Sequence, residues 1–192
     1  MFIWPFPIAN GGWVDYLRMG FGKQREFIYE LARLSGVFSE VSDHGTRDQI
    51  AFHYVTQLQI SLSEHGWSVN LYMDKSWLEQ RNLYNKLQDK NSRKEFIHIL
   101  DSLLQEGFIS SIIYHDGSWE DFEDAREFLR EFTNLVDQEE SFSFLIGKHL
   151  ERYSPENHAA SILSWVKDQM QILLGAYNYT AWHPSANNYL EF

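Results

Sequence analysis

His115 and Asp116 set an imidazole beside a carboxylate, a pairing that could join a hard-metal site if His44 or His53 and a remote carboxylate converged on it. A metal held there would lower the pKa of a bound water and give a hydrolase built from dispersed residues, with His53, His115 and Asp116 as its core. The wider sequence gives this little support. None of the eight histidines forms an HExxH or HxxxH motif, and with no cysteine the chain cannot build a thiolate metal site. Asp116-Gly117 also has a simpler use, because Asp-Gly readily takes turn dihedrals. No resident metal or cofactor is therefore expected.

Other chemistry is weaker still. Asp121 with Glu123 or Asp124, and Glu127 with Glu131, could hold a shared proton in a sheltered cleft, but on an open helical face they stay ionised. Ser110 and Ser111 lack a nucleophile-elbow sequence. Gly11-Gly12 and Gly20-Phe21-Gly22 read as turns and match no glycine-rich phosphate loop. Trp13, Tyr16, Phe21 and Phe27 read as packing residues rather than a ligand pocket.

Charge is the stronger signal. Residues 116–140 carry ten carboxylates against two arginines, a formal −8 out of −11 for the whole 192-residue chain. A field concentrated in this way favours a cationic partner and speeds encounter with it. Direct nucleic-acid binding is not expected, since basic runs such as Lys90-Asn91-Ser92-Arg93-Lys94 are brief and sit in an acidic chain. The expected function is a non-catalytic interaction protein, in the manner of an inhibitor or immunity module. Glu120, Glu123, Asp124, Glu127 and Glu131 would face a basic protein surface, such as the cationic groove of a nucleic-acid-handling protein. The alternative is the metal-assisted hydrolase.

The elements that must position these residues can be read from periodicity. Lys23 to Leu34 carries Phe27, Ile28, Leu31 and Leu34 at helical spacing. Phe52–Ser63 and Trp67–Met73 alternate with period two around Glu64-His65-Gly66 and predict a hairpin. Ser76/Glu79 and Ser92/Glu95 resemble capping boxes ahead of two helices, the second ending at Gly107. Ile109–Tyr114 predicts a third strand. Ser118 to Val136 predicts one acid-faced helix with Trp119, Phe122, Leu129 and Phe132 buried. Ser154-Pro155 starts a last helix that Gly175 ends, and the tail from Ala176 reads as an irregular cover.

These elements predict a single, mostly helical α+β domain over residues 1–192, with a short three-stranded antiparallel sheet. A 44% apolar composition with 31 aromatic residues supplies its core. Met1 to Asn10 reads as an aromatic arm folded onto the body. It has no basic n-region, and no stretch approaches a membrane span. The absence of cysteine fits a reducing cytoplasm.

Overall fold

Val69, Leu71 and Met73 on one side of a strand are fully buried, whereas Ser68, Asn70 and Tyr72 between them point to the opposite side. That two-residue phase recurs in the central strands of the sheet and separates a helix-covered apolar face from a more polar one. The computed structural model describes residues 2–10, 13–22, 55–74, 77–155 and 157–181. Among them are seven strands: β1 (Phe2–Asn10), β2 (Trp13–Gly22), β3 (Gln57–Ser63), β4 (Gly66–Met73), β5 (Ile109–Tyr114), β6 (Trp119–Phe122) and β7 (Phe142–Glu151). Four helices accompany them: α1 (Trp77–Leu87), α2 (Lys90–Gln105), α3 (Ala125–Asp137) and α4 (Ala159–Thr180).

The strands form one sheet in the order β1-β2-β3-β4-β7-β5-β6, antiparallel at every pairing. β7 comes last in the chain yet lies between β4 and β5. Register carries the apolar phase across it: Leu71 pairs with Ile146, Met73 with Phe144, and Phe144 in turn with Ile112. The helices cover this face. α3 packs on β5 and β6, α2 on β5, and α4 on β3 and β4.

One apolar cluster results, and its centre is aromatic. Phe132 meets Phe142 and Phe144 edge-on at 5.7 and 5.9 Å, and Phe128 meets Phe144 and Phe122 at 5.7 and 5.8 Å, the perpendicular geometry that ring quadrupoles favour. Tyr179 of α4 stacks on Phe96 of α2 at 4.9 Å, and its hydroxyl donates to the Ser92 carbonyl at 2.6 Å. Buried polar groups are tied in as well. The Glu79 carboxylate accepts from the Thr56 backbone N–H and hydroxyl, and Gln80 Nε2 donates to the Phe142 carbonyl at 2.7 Å, which pins α1 to the start of β7.

The β3–β4 hairpin forms as expected, with Ser63 paired to Gly66 across Glu64 and His65, although β3 starts at Gln57. Gly66 has φ 139°, and a Cβ there would lie 2.1 Å from the Leu150 carbonyl oxygen, so glycine is required. β5 also matches, and Gly107 (φ 81°) follows the end of α2. The three-stranded sheet does not hold, because β1, β2, β6 and β7 extend it to seven strands.

Residues 2–10 form an edge strand instead of an arm. Pro5 and Pro7 share one phase of that strand, so both missing N–H groups fall on the same side, which an edge position tolerates. Gly20-Phe21-Gly22 lies within β2, not in a turn. The expected acid-faced helix from Ser118 is interrupted: Trp119–Phe122 is strand, and α3 begins at Ala125 with Asp124 as its cap. α2 starts at Lys90, capped by Asp89 rather than Ser92. α4 starts at Ala159 and runs through Gly175 to Thr180. The expected helix at 23–34, the Gly11-Gly12 turn and the tail beyond Ala181 lie outside the described residues.

Phe132 is 0% exposed and touches two rings of β7. Phe132→Ala is expected to lower the unfolding free energy by about 3–5 kcal/mol in equilibrium denaturation. An unchanged midpoint and slope would contradict its placement.

Candidate functional site

The Asp116-Gly117 turn (Gly117 φ 85°) folds β6 back along β5, and the next turn of chain launches α3. The acidic segment therefore makes a corner of strand and helix. Glu120 lies on β6, Glu123 is exposed in the bend after it, Asp124 caps α3, and Glu127 and Glu131 sit on the first turns of that helix.

Their surroundings differ. Asp124 accepts from the backbone N–H groups of Arg126 and Glu127 at 2.7 and 3.0 Å, and these bonds, with Arg126 and Arg130 nearby, hold its carboxyl below the usual carboxylate range. Glu127 lies 3.8 Å from Arg130, an exposed pair of little energetic weight. Glu120 and Glu131, one from the strand and one from the helix, converge on the Tyr114 hydroxyl, which donates at 2.8 and 3.4 Å. Burial and these two carboxylates push the Tyr114 phenol well above its ordinary value.

Around the same corner, the polar face of the sheet opens as a groove of about 410 Å³. Its floor is Asn70 and Gly147, Ser61 and Ser68 line one side, and Ser111, Trp119 and Asp121 close the β5–β6 end. The Asn70 amide lies across Gly147: a Cβ there would sit 2.2 Å from Asn70 Oδ1, so the glycine makes room for the amide. Ser111 Oγ donates to Asp121 Oδ1 at 2.6 Å and fixes that carboxylate at the groove mouth. Trp119, two residues earlier on the same strand face, is 66% exposed. The Lys148 ammonium is drawn to the other face, where it donates to the Glu106 carbonyl at 2.5 Å. Chemically, the groove offers hydroxyls, an amide, one anchored carboxylate, the His149 imidazole and an aromatic plate, within a lining that Ile109 and Leu145 make largely apolar. Leu163, Ile172 and Leu174 of α4 are also exposed.

The proposed hydrolase residues are placed differently. His115 and Asp116 are exposed in the β5–β6 turn, where Asp116 accepts from the Ser118 backbone N–H and hydroxyl at 2.9 and 2.6 Å. Those bonds lower its pKa and give it a turn-forming duty. His44 and His53 lie outside the described residues, and among the described residues no three His, Asp or Glu side chains gather as a metal site would require. Ser110 points to the apolar face and Ser111 to the groove.

Sequence reasoning missed the groove and the exposure of Trp119, which the expected helix had buried. A partial signal was present: the Asp116-Gly117 turn directly after the Ile109–Tyr114 strand is the pattern of a hairpin. No helix among the described residues is long and apolar enough to cross a membrane. No protein-family model matches the chain, and neither curated proteins nor solved structures give a significant match.

The Tyr114 contacts yield a test. Because its folded pKa is raised, its contribution to stability is complete below the unfolded value near 10 and is lost as pH rises toward the folded one. Glu120→Gln should bring the Tyr114 titration down and extend stability to higher pH, read as the ultraviolet phenolate difference between chains with and without Tyr114→Phe. An unaltered titration would show that Glu120 does not act on the phenol.

Proposed function

We propose that this protein is a non-catalytic interaction module that meets a basic protein partner through the corner made by β6 and the start of α3. The observation that carries the reading is the concentration of a formal −8 in residues 116–140. Glu120, Glu123 and Glu127 present that charge to solvent, and Glu131 stands half-buried behind them. Asp124 adds charge to the same surface while capping the helix. A field of this sign raises the encounter rate with a cationic surface, while a neighbouring exposed aromatic can contribute contact energy that salt screens less. Occupation of the basic groove of a nucleic-acid-handling protein, with inhibition as the consequence, fits this chemistry.

The corner differs from a row of acids on one helix in a way that supports docking. Side chains from a strand and from a helix approach a partner from two directions, and the Ser111–Asp121 and Tyr114–Glu120 bonds limit the freedom lost on binding. Once a partner has been captured, Glu120, Glu123, Glu127 and Glu131 should each be changed to Lys, with Asp124 left in place because it caps α3. Glu123→Lys with Glu127→Lys forms the pair that spares the Tyr114 contacts. The expected result is slower association and a shallower dependence on salt, with folding retained. Unchanged association rates and salt dependence in folded variants would overturn the reading.

A further inference from the structure

The acidic corner and the groove share one strand. β6 alternates, so Glu120 belongs to the helix-covered side while Trp119 and Asp121 face the groove. Resting on the interaction reading above, we propose that the groove on the polar sheet face is a binding site for an arginine side chain of the basic partner, stacked on Trp119 and paired with Asp121.

Four observations converge on this occupant. Trp119 is the most exposed ring at the groove, and an indole face attracts a guanidinium more strongly than other rings do. Asp121 lies two residues along the same strand face, about 7 Å away by strand rise, so a cation above the ring can reach it. Ser111 Oγ holds Asp121 Oδ1 at 2.6 Å, which orients a carboxylate that lines the groove and can still accept a charge-assisted bond. The side of the groove supplies further polar groups: the Ser68 hydroxyl, which accepts from Asn70, and the buried Ser61 hydroxyl, which has no hydrogen-bond partner among the described residues. Charge complementarity separates this occupant from an anionic one. The Lys148 ammonium is committed to the Glu106 carbonyl on the far face, which leaves the Asp121 carboxylate and the His149 imidazole as the ionisable groups on the groove side of the lining. Arginine is favoured over lysine because its flat, weakly hydrated head both stacks and pairs.

The test uses the full-length chain labelled with ¹⁵N and titrated with acetyl-Arg-Arg-Arg-amide, with the lysine and glutamine tripeptides alongside. Saturable shifts are expected at Ser111, the Trp119 indole N–H, Asp121 and Gly147, in the order Arg over Lys, with none from Gln. Trp119→Ala and Asp121→Asn should each weaken the arginine peptide roughly three- to tenfold. Both side chains are exposed, so retained spectral dispersion will show that the variants fold. Glu127→Gln with Glu131→Gln should leave the groove shifts in place. Shifts confined to α3 and indifferent to Trp119→Ala and Asp121→Asn would overturn the groove site while leaving the acidic-corner reading intact. Equal shifts from the glutamine peptide, or no shifts from any peptide, would also overturn the groove site. Charge reversal measured against the captured partner judges the acidic corner separately.

Discussion

β7 is the strand on which the rest depends. It enters the sheet last in sequence and sits between β4 and β5, so the β1–β4 half and the β5–β6 half become one surface only through its two ladders. Its alternation sets both faces at once. Phe142, Phe144 and Ile146 are fully buried under the helices, while Ser143, Leu145, Gly147 and His149 belong to the other side. The rings of α3 close on Phe142 and Phe144, and this contact places the first turn of α3, with its carboxylates, against the end of β6. Without β7 there is neither a floor for the groove nor an anchor for the acidic corner.

The same alternation divides the labour among neighbouring acids. Adjacent residues of β6 point to opposite sides, so Glu120 bonds Tyr114 on the helix side and Asp121 bonds Ser111 on the groove side. Asp124 spends its charge on the helix N-terminus. A high local charge thus resolves into carboxylates that hold the corner together and carboxylates, chiefly Glu123 and Glu127, that face water. Charges on an edge strand such as β6 also discourage a second sheet from pairing with it.

How much of this was legible in the sequence depended on whether local signals agreed. The β3–β4 hairpin was readable because clean alternation met a two-residue turn, and Phe132 was readable as core because its helical spacing from Leu129 and Val136 is real. β6 was hidden because Trp119-Glu120-Asp121-Phe122 has no β-branched residue, and Trp119 and Phe122 happen to extend the three- and four-residue spacing of α3. β7 alternates, but Lys148 interrupts its apolar phase where the chain reaches out to Glu106. Ser154-Pro155 and Gly175 carried strong local helix signals that longer-range packing overrode: Leu173, Ala176 and Tyr177 stay in the core on both sides of Gly175. The acidic residues of 116–140 were legible as a charged segment. Their arrangement as a corner, and the groove beside it, depended on strand pairings far apart in sequence.

Amide hydrogen exchange of the chain, free and bound to its captured partner, tests the account most directly. Slowed exchange on binding is expected across β5, β6 and the first turn of α3, residues 109–128, with α4 unchanged. Protection confined to α4, around Leu163, Ile172 and Leu174, with residues 109–128 unaltered, would contradict it.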